Sequence, residues 1–508
     1  MDRALLSLLI LAVSCFVVVR SFLSARRDRG RVLPPSPPAL PIIGNLHQLA
    51  GGRQPRTLQA LARRHGPLIL LRLGGVPTIV VSSPSVAEAV LRTQDHVFCS
   101  RPQQHTALAV LWGCRDMGFS AYGERWRQLR RIAVTNLLSA KRVDSFRAIR
   151  EEEVASLMCR IRAASATNDD GGRDTRRGIN MTEFIVGLSN AVISRSALGN
   201  KLGGMEPGMV HEMFKEVNDL LETIAVSDVF PRLGWLDWVT GLNARTKRMA
   251  SKLDHVLESA LREHERSRVN ADEVGDLLDD LLSILKDGST EFKLDRTDVK
   301  GLVFDMFIAG TDTTSKLMEW TMAELVKNPR EMEKVQAEVR QVAGAEGRVL
   351  EEQLGTMSLL QAAMKESLRL HPPAPLLVPH ETIQDTKIHG YDIPAKTRVL
   401  INAWAIGRDG ESWENANEFR PERFMHNAFG NGGQDFRFIP FGAGRRGCPG
   451  SAFGMRLAGL ALANILYHFD WELPDGQDLE SFEVVESTGL SPSLECGLTL
   501  VAKPLQQA

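Results

Sequence analysis

The stretch that decides the fold is FRFIPFGAGRRGCPG, Phe436–Gly450. Its glycines allow the backbone to pass close to a flat ligand, where a Cβ atom would collide. Cys448 stands just before an apolar pattern from Ser451 to Phe469 that predicts a helix. A sulfur at this point faces the positive end of a helix and free backbone N–H groups, which favour the thiolate. A thiolate in a glycine-lined loop is suited to ligate haem iron.

Two other interpretations of this stretch are weaker. A lone cysteine is most often a small buried hydrophobe. Residues 442–447 also satisfy the G-x-G-x-x-G pattern of dinucleotide binding, with Asp470 about 20 residues beyond. However, the chain ends at residue 508, only 58 residues after Gly450, which is too short for the rest of a dinucleotide domain. Pro449 also stands where the phosphate-binding helix would begin.

The spacing Phe441-x-x-Gly444-x-Arg446-x-Cys448-x-Gly450 resembles the haem-binding loop of the cytochrome P-450 family. The resemblance implies that Cys448 is the axial ligand of heme b, that Arg446 binds a haem propionate and that Phe441 shields the sulfur. The resemblance covers essentially the whole chain, and within the family the motifs are most similar to those of the plant microsomal branch. It implies the P-450 fold, mostly α-helical, with a small β-rich lobe near the N-terminus and an N-terminal transmembrane anchor helix.

Composition excludes several classes of protein. The chain has 508 residues, 43% of them hydrophobic, enough to bury a large core. Lys plus Arg total 61 against 62 Asp plus Glu, a balance that gives no sign of nucleic-acid binding. The six cysteines are scattered, which argues against a disulfide scaffold and for a reducing compartment.

The N-terminus departs from this balance. Residues 4–23 are mostly apolar and carry no charge apart from Arg20, and 20 helical residues span roughly 30 Å, the thickness of a bilayer core. Arginines follow at 26, 27, 29 and 31, which places the downstream side in the cytosol. A cleaved signal peptide fits less well, because no small-x-small cleavage site precedes the arginines. We predict an endoplasmic-reticulum anchor at residues 1–25, a basic and proline-rich hinge at 26–40 and a cytosolic catalytic domain at 41–508.

Further residues are candidates to bind the haem propionates. Trp126 and Arg130 lie at i and i+4 of a basic helix start and so share one face. Alone, this is also the pattern of a solvated basic face with a buried tryptophan. W-x-x-x-R resembles the family's propionate-binding helix, and the same resemblance suggests Arg101. His380 matches a position where some members use His, and others Arg, for a propionate.

The longest predicted helix runs from Asp298 to Val326 and contains Ala309-Gly310-Thr311-Asp312-Thr313-Thr314. Ala and Gly remove bulk, so that a ligand can lie against the helix, and a threonine hydroxyl can divert a backbone hydrogen bond. Alone, the hexapeptide is also compatible with an ordinary helix that tolerates a glycine. It resembles the family's oxygen-activation motif, which implies that Thr313 holds the oxygen being activated and that Asp312 relays protons to it through water.

An acid and a base, Glu366 and Arg369, lie at i and i+3 of another predicted helix. Alone they are a surface ion pair of little value. The pattern resembles the family's E-x-x-R, whose third partner is Arg423 here. The resemblance implies a structural network around the haem loop.

The resemblance suggests the substrate-contacting positions, and at Ala309 the small side chain also leaves room for a ligand. They are Ala309 on the long helix, Leu376, Leu377 and Val378 in a run predicted to be extended, and Leu490 at a loop tip. Elsewhere, Leu68–Leu73 and Thr78–Ser82, joined through Gly74-Gly75, predict a β-hairpin.

The implied function is mono-oxygenation of a small apolar specialised metabolite, by hydroxylation or epoxidation. No flavin or nicotinamide site is visible, so the resemblance implies an NADPH-dependent flavoprotein reductase as electron donor. One rival is a haem-thiolate isomerase or dehydratase that does not use O₂, although such enzymes tend to lose the alcohol at the position of Thr313. The other is a non-catalytic haem-binding membrane protein, which has no need of Asp312 and Thr313.

Overall fold

The structure, a computed structural model, describes residues 30–167, 178–199, 207–266, 275–287, 293–344, 346–425, 435–475, 477–480, 482 and 484–505. The predicted anchor at residues 1–25 lies outside these residues. Within the described ranges, no helix is both long enough and apolar enough to cross a membrane.

Helices dominate the described chain, as predicted. The α-helices are α1 (Leu46–Leu49), α2 (Gln54–His65), α3 (Pro84–Glu88), α4 (Asp95–Phe98), α5 (His105–Val110), α6 (Glu124–Ile132), α7 (Ala140–Ser145), α8 (Arg147–Thr167), α9 (Met181–Leu198), α10 (Pro207–Glu222), α11 (Val226–Val229), α12 (Leu236–Val239), α13 (Leu242–Arg266), α14 (Leu277–Asp287), α15 (Arg296–Lys327), α16 (Pro329–Ala343), α17 (Ser358–Leu370), α18 (Ala403–Ile406) and α19 (Ser451–His468). Short 3₁₀ segments include Pro421–Phe424 and Gly444–Arg446, and a π-helical turn spans Ala89–Thr93.

The strands form small sheets. They are β1 (Leu68–Leu73), β2 (Val76–Val81), β3 (Ile179–Asn180), β4 (His380–Glu381), β5 (Thr386–Ile388), β6 (Tyr391–Ile393), β7 (Arg398–Ile401), β8 (Phe469–Glu472) and β9 (Thr499–Pro504). The largest sheet has the order β1-β2-β7-β4. Its predicted hairpin, β1–β2, is antiparallel, whereas β7 comes from much later in the chain and pairs with β2 in parallel. This sheet is the predicted β-rich lobe.

The segment predicted as a hinge contacts this sheet and also the separate two-stranded sheet of β5 and β6. The N–H of Leu70 donates to the carbonyl of Pro35 at 2.8 Å, and the N–H of Val32 donates to the carboxylate of Asp392 at 2.8 Å. Leu33 packs against the apolar side chains of the sheet. Residues 32–35 are therefore held along the lobe.

Helix α15 runs through the main hydrophobic core. It begins at a capping box in which Asp295 accepts from the N–H groups of Thr297 and Asp298. Gly310 allows α9 to approach, because a Cβ atom there would lie 2.5 Å from Cδ1 of Ile193. The helix ends at Lys327, where the next residues are Asn328 and Pro329. Sequence reasoning placed it at 298–326, and this prediction is confirmed.

Candidate functional site

The cysteine loop is a tight turn that closes on itself. The N–H of Cys448 donates to the carbonyl of Phe441 at 2.9 Å, and the N–H of Gly447 donates to that of Gly444 at 3.1 Å. Gly442 and Gly444 have φ values of +64° and +63°, which side-chain-bearing residues rarely adopt. The turn delivers Cys448 to the start of α19, as the sequence predicts.

Close packing requires glycine at one of these two positions, Gly444. A Cβ atom on Gly444 would lie 2.2 Å from the carbonyl oxygen of Leu91, in the π-helical turn. A Cβ atom on Gly442 would lie 3.8 Å from Cδ1 of Leu377. Sequence reasoning attributed the glycines to the close approach of a ligand, but at Gly444 the neighbour that requires glycine is the protein backbone.

Opposing effects act on the Cys448 thiol. The surrounding protein raises its pKa by desolvation, while the backbone N–H groups of Gly450 and Ser451 and the charge of Arg130 lower it. The residue itself is exposed to the adjoining space. Arg130 also donates from Nη2 to the carbonyl of Gly447 at 2.6 Å. Helix α6 therefore reaches the residue next to the sulfur through Arg130.

Arg446 is bound by backbone carbonyls. Its Nε donates to the carbonyl of Cys99 at 2.7 Å and its Nη2 to that of Ser120 at 2.7 Å. The guanidinium lies 4.2 Å from the ring centre of Trp126, whose indole N–H donates to the carbonyl of Met117. Burial lowers the pKa of Arg446 to about 10.

Arg101 and His380 adjoin this group. Arg101 donates from Nη1 to the carbonyls of Val378 and Pro379, at 2.6 and 2.9 Å. The Nδ1 of His380 lies 2.8 Å from the carbonyl of Phe98, which can only accept, so Nδ1 carries the hydrogen. Burial, followed by the charges of Arg101 and Arg446, lowers the pKa of His380 well below its usual value. The ring is therefore neutral at pH 7.

These cations fit the negative charge of a haem. Among the described residues, Arg101, Arg130 and Arg446 donate to carbonyl oxygens and form no ion pair with a carboxylate. The charge of Asp116 acts on Arg101 and Arg446 without a direct bond, and charge removed from water is costly unless it is paired. Two propionates would pair these cations directly.

Sequence reasoning missed two buried carboxylates beneath this group, Asp116 and Asp305. Asp305, on α15, accepts from the N–H of Met117 at 2.6 Å, and Asp116 accepts from that of Phe119 at 2.6 Å. Burial raises the pKa of Asp116 to about 6 and that of Asp305 well above its usual value. For Asp305, the available signal was an acid within the apolar run that precedes Ala309.

The middle of α15 is open. Residues 301–307 and 314–326 are buried, whereas Ala309 and Thr313 are exposed. The Thr313 hydroxyl donates to the carbonyl of Ala309 at 2.5 Å, which is the predicted diversion of a backbone acceptor. Thr314 faces α19, because a Cβ atom on Gly454 would lie 3.2 Å from its Oγ1. The open stretch therefore lies near the helix that begins after Cys448.

Asp312 is bound in an ion pair. Its Oδ2 lies 2.7 Å from Nζ of Lys316, one turn further along α15. Its side chain keeps 37% of its surface exposed. Lys316 was not singled out from the sequence.

The predicted substrate positions differ in structure and in exposure. The prediction of an extended run at 376–378 is wrong, because these residues form a turn in which Leu377 has a φ of +52°. Leu376 is buried in the core beside the sheet, while Val378 is 38% exposed. Leu490 is 40% exposed at its loop tip.

Glu366, Arg369 and Arg423 come together. Arg369 bonds to both carboxylate oxygens of Glu366 at 2.7 Å, and Nε of Arg423 lies 3.1 Å from Oε1. Arg369 also donates to the carbonyls of Gly407 and Ala416. Glu366 and Arg369 are fully buried. The network joins α17 to the segment before the cysteine loop.

Comparisons with known proteins agree with this geometry. The profile of the family described as Cytochrome P450 matches residues 34–494. Cytochrome P450 71A1 of Persea americana is 47% identical, over 98% of this chain and 99% of that protein. Phenylacetaldehyde oxime monooxygenase of Prunus mume is 44% identical, over 97% and 94%. Strychnine-11-hydroxylase of Strychnos nux-vomica is 41% identical, over 99% and 98%.

Solved structures share the fold. A zebra fish cytochrome P450 with abiraterone superposes with a TM-score of 0.74 at 27% identity, over 89% of this chain and 99% of that one. Fold and cysteine loop define a haem-thiolate oxidoreductase, a class in which a cysteine ligates the iron. The chain belongs to the cytochrome P450 family of monooxygenases.

Proposed function

We propose that this protein inserts one atom of O₂ into a small apolar specialised metabolite, by hydroxylation or epoxidation, at a heme b ligated by Cys448. The carrying observation is the open stretch of α15, which exposes Ala309 and Thr313 close to the helix that follows Cys448. Haem supplies the O₂ chemistry when bound, and a thiolate ligand favours O–O cleavage.

Binding of the cofactor falls to the groups already described. Arg101, which is buried, and Arg130 and Arg446, which are half-buried, offer positive charge to the propionates, and the ring of Trp126 stacks on the guanidinium of Arg446. As the ring stands, Nε2 of neutral His380 is an acceptor, so His380 would bind a propionate only after gaining a proton. Phe441 lies on the cysteine loop, packed against the core.

Thr313 and Asp312 are proposed to manage protons. Because the Thr313 hydroxyl donates its hydrogen to Ala309, its lone pairs can accept a hydrogen bond from a group in the open stretch. Asp312 is partly exposed, so its carboxylate can exchange protons with water. General acid–base help of this kind is worth about 10²–10⁴ in rate.

An apolar substrate suits the exposed members of the predicted substrate positions. Ala309, Val378 and Leu490 offer no charge to a ligand, and all three are exposed. Relatives are named for an oxime and for an alkaloid, both products of plant specialised metabolism. The alternative is an isomerase or dehydratase that does not use O₂, and the retained hydroxyl of Thr313 favours oxygenation over it.

The proposed electron donor is an NADPH-dependent flavoprotein reductase at the endoplasmic reticulum. Arg127 and Arg131 are exposed on α6, the helix that contacts the cysteine loop, and give a reductase a basic surface. The apolar sequence at 4–23 supports a single anchor with the catalytic body in the cytosol. Trp235 and Trp238, 60% and 78% exposed, support a second contact with the membrane.

The test uses microsomes that contain the protein and its reductase. A screen of plant metabolites, with phenylacetaldehyde oxime and indole-type compounds included, should find one that is oxygenated with consumption of NADPH and O₂. Thr313→Ala should keep haem and substrate affinity but release hydrogen peroxide instead of product. Thr321→Ala is the matched control, because Thr321 makes the same bond to a carbonyl four residues earlier on the same helix. Turnover of a metabolite without NADPH or O₂ would favour the isomerase.

A further inference from the structure

One lysine on α15 joins two parts of the site. The ammonium of Lys316 lies 2.7 Å from Oδ2 of Asp312 and 2.8 Å from Oγ of Ser491, and it also donates to the carbonyl of Ser491. An ammonium has three donors, and three oxygens occupy them. Lys316 is buried, so these bonds are shielded from water.

The loop that Lys316 holds is the one that carries Leu490. On its other side lies the carboxyl group of Glu222, on α10, whose pKa the backbone N–H of Leu490 lowers. A Cβ atom on Gly489 would lie 2.9 Å from Oε2 of the same glutamate. The tip at 489–491 is therefore fixed between a carboxylate on α10 and an ammonium on α15.

Two further bonds attach the same segment to α15. The indole N–H of Trp320 donates to the carbonyl of Pro492 at 3.2 Å, and Glu319 accepts from the N–H of Leu494 at 3.4 Å. Lys316 differs from these two residues because its other partner is Asp312.

The ammonium of Lys316 offsets the negative charge of several carboxyl groups around it. Burial raises the pKa of Glu222 and of Glu319, the charge of Lys316 lowers both and the charge of Asp312 raises both. Three carboxyl groups thus lie within electrostatic reach of one lysine. Without the lysine, Asp312 would face two acids and lose its fixed position.

We propose that Lys316 is a positioning residue that couples the loop at 489–491 to Asp312, so that one side chain sets both the wall of the binding space and the place of the proton-delivering carboxylate. The inference rests on the role given to Asp312 above. It predicts that loss of Lys316 disturbs ligand binding and oxygen use together.

Two readouts that need no known substrate test this. Spectral titration of the haem-loaded protein with 4-phenylimidazole, whose phenyl group occupies the binding space, is compared with titration by imidazole, which lacks that group. In microsomes with the reductase and no added substrate, hydrogen peroxide released per NADPH consumed reports on proton delivery. The variants are Lys316→Met, Lys316→Gln, Lys316→Arg and Asp312→Asn. Lys300→Met is the control, because Lys300 is a buried, ion-paired lysine on the same helix with partners Asp254 and Glu258.

Lys316→Met should weaken 4-phenylimidazole relative to imidazole by about tenfold, the value of one hydrogen bond to a charged group. It should also raise peroxide release in the same direction as Asp312→Asn. Lys316→Arg should retain most of the wild-type affinity for 4-phenylimidazole and most of the wild-type control of peroxide release. Lys300→Met should change neither of these two readouts. Lys316→Gln gives the same answer if the methionine variant fails to fold.

The failures are distinguishable. If Asp312→Asn leaves peroxide release unchanged, the role of Asp312 is refuted and the coupling with it. If Asp312→Asn raises peroxide release while the Lys316 variants match wild type in either readout, the coupling alone is refuted.

Discussion

Arg130 donates from Nη2 to the carbonyl of Gly447 at 2.6 Å, and so reaches the residue that precedes Cys448. Both its position on α6 and the cysteine loop were visible in the sequence, but their contact was not. Besides its proposed contact with a propionate, Arg130 therefore stabilises the cysteine loop through this bond. Its positive charge also lowers the pKa of the Cys448 thiol.

Arg130→Ala should therefore reduce haem occupancy. A charged hydrogen bond contributes about 1.5–3 kcal/mol, so haem should bind at least about tenfold more weakly. The measurement is haem per protein after dilution, with apomyoglobin as acceptor. Arg131→Ala, an exposed neighbour on the same helix, is the control. Equal haem loss rates for wild type and Arg130→Ala would contradict this role.

Arg369→Ala should prevent recovery of stable, haem-loaded protein. It would leave Glu366 charged and buried without its main partner, at a cost of about 3–5 kcal/mol. Urea unfolding and the yield of haem-loaded protein measure the effect. Arg92→Ala removes an exposed i,i+4 pair with Glu88 and should change stability by under about 1 kcal/mol. An Arg369→Ala variant as stable as Arg92→Ala would show that the network is dispensable.

The ionised carboxylate of Glu486 should stabilise the folded protein, and this contribution should be lost in acid. Bonds from His371 and Trp404 and the charge of Arg408 outweigh desolvation and lower the pKa of Glu486 to about 2, from an ordinary value of 4.5. Because the folded-state pKa is the lower one, this stability is present above about pH 4.5 and is lost as the pH falls towards about 2. The side chain is only 12% exposed, so the contribution is on the order of 3 kcal/mol.

Glu486→Gln should thus be less stable than wild type at pH 7, and the difference should shrink at pH 3. Denaturant unfolding at both pH values is the measurement, with a substitution of the exposed Glu495, Glu495→Gln, as control. If the difference in unfolding free energy between Glu486→Gln and wild type stays constant from pH 7 to pH 3, the Glu486 carboxylate does not cause the loss of stability in acid.

Local sequence patterns correctly predicted elements whose structure depends on neighbouring residues, such as a helix and a hairpin. Helix α19 was placed at 451–469 and is found at Ser451–His468, because its apolar run begins after the glycine-rich loop and ends at a strand. The β1–β2 hairpin followed from two β-prone runs around Gly74-Gly75. The spacing of Glu366 and Arg369 alone suggested only a surface ion pair, and it was the resemblance to the family that implied their network with Arg423.

Long-range relations could not be predicted in this way. The parallel pairing of Val80 with Leu400 joins positions 320 residues apart, and no local pattern encodes it. Leu377 lies in a left-handed turn although its neighbours are β-prone. The ion pair between Asp312 and Lys316 has helical spacing, but its extension to Ser491 depends on how the C-terminal loop folds over α15.

The central claim is that Cys448 ligates haem through its thiolate, and the carbon monoxide spectrum of the reduced protein tests it most directly. Wild type should show the red-shifted band of a thiolate-ligated haem, and Cys448→Ser should abolish it. Cys99→Ser should keep the band, although the backbone carbonyl of Cys99 accepts a hydrogen bond from Arg446 and places a second cysteine in that cluster. A red-shifted band that survives in Cys448→Ser, or disappears in Cys99→Ser with haem still bound, would contradict the assignment.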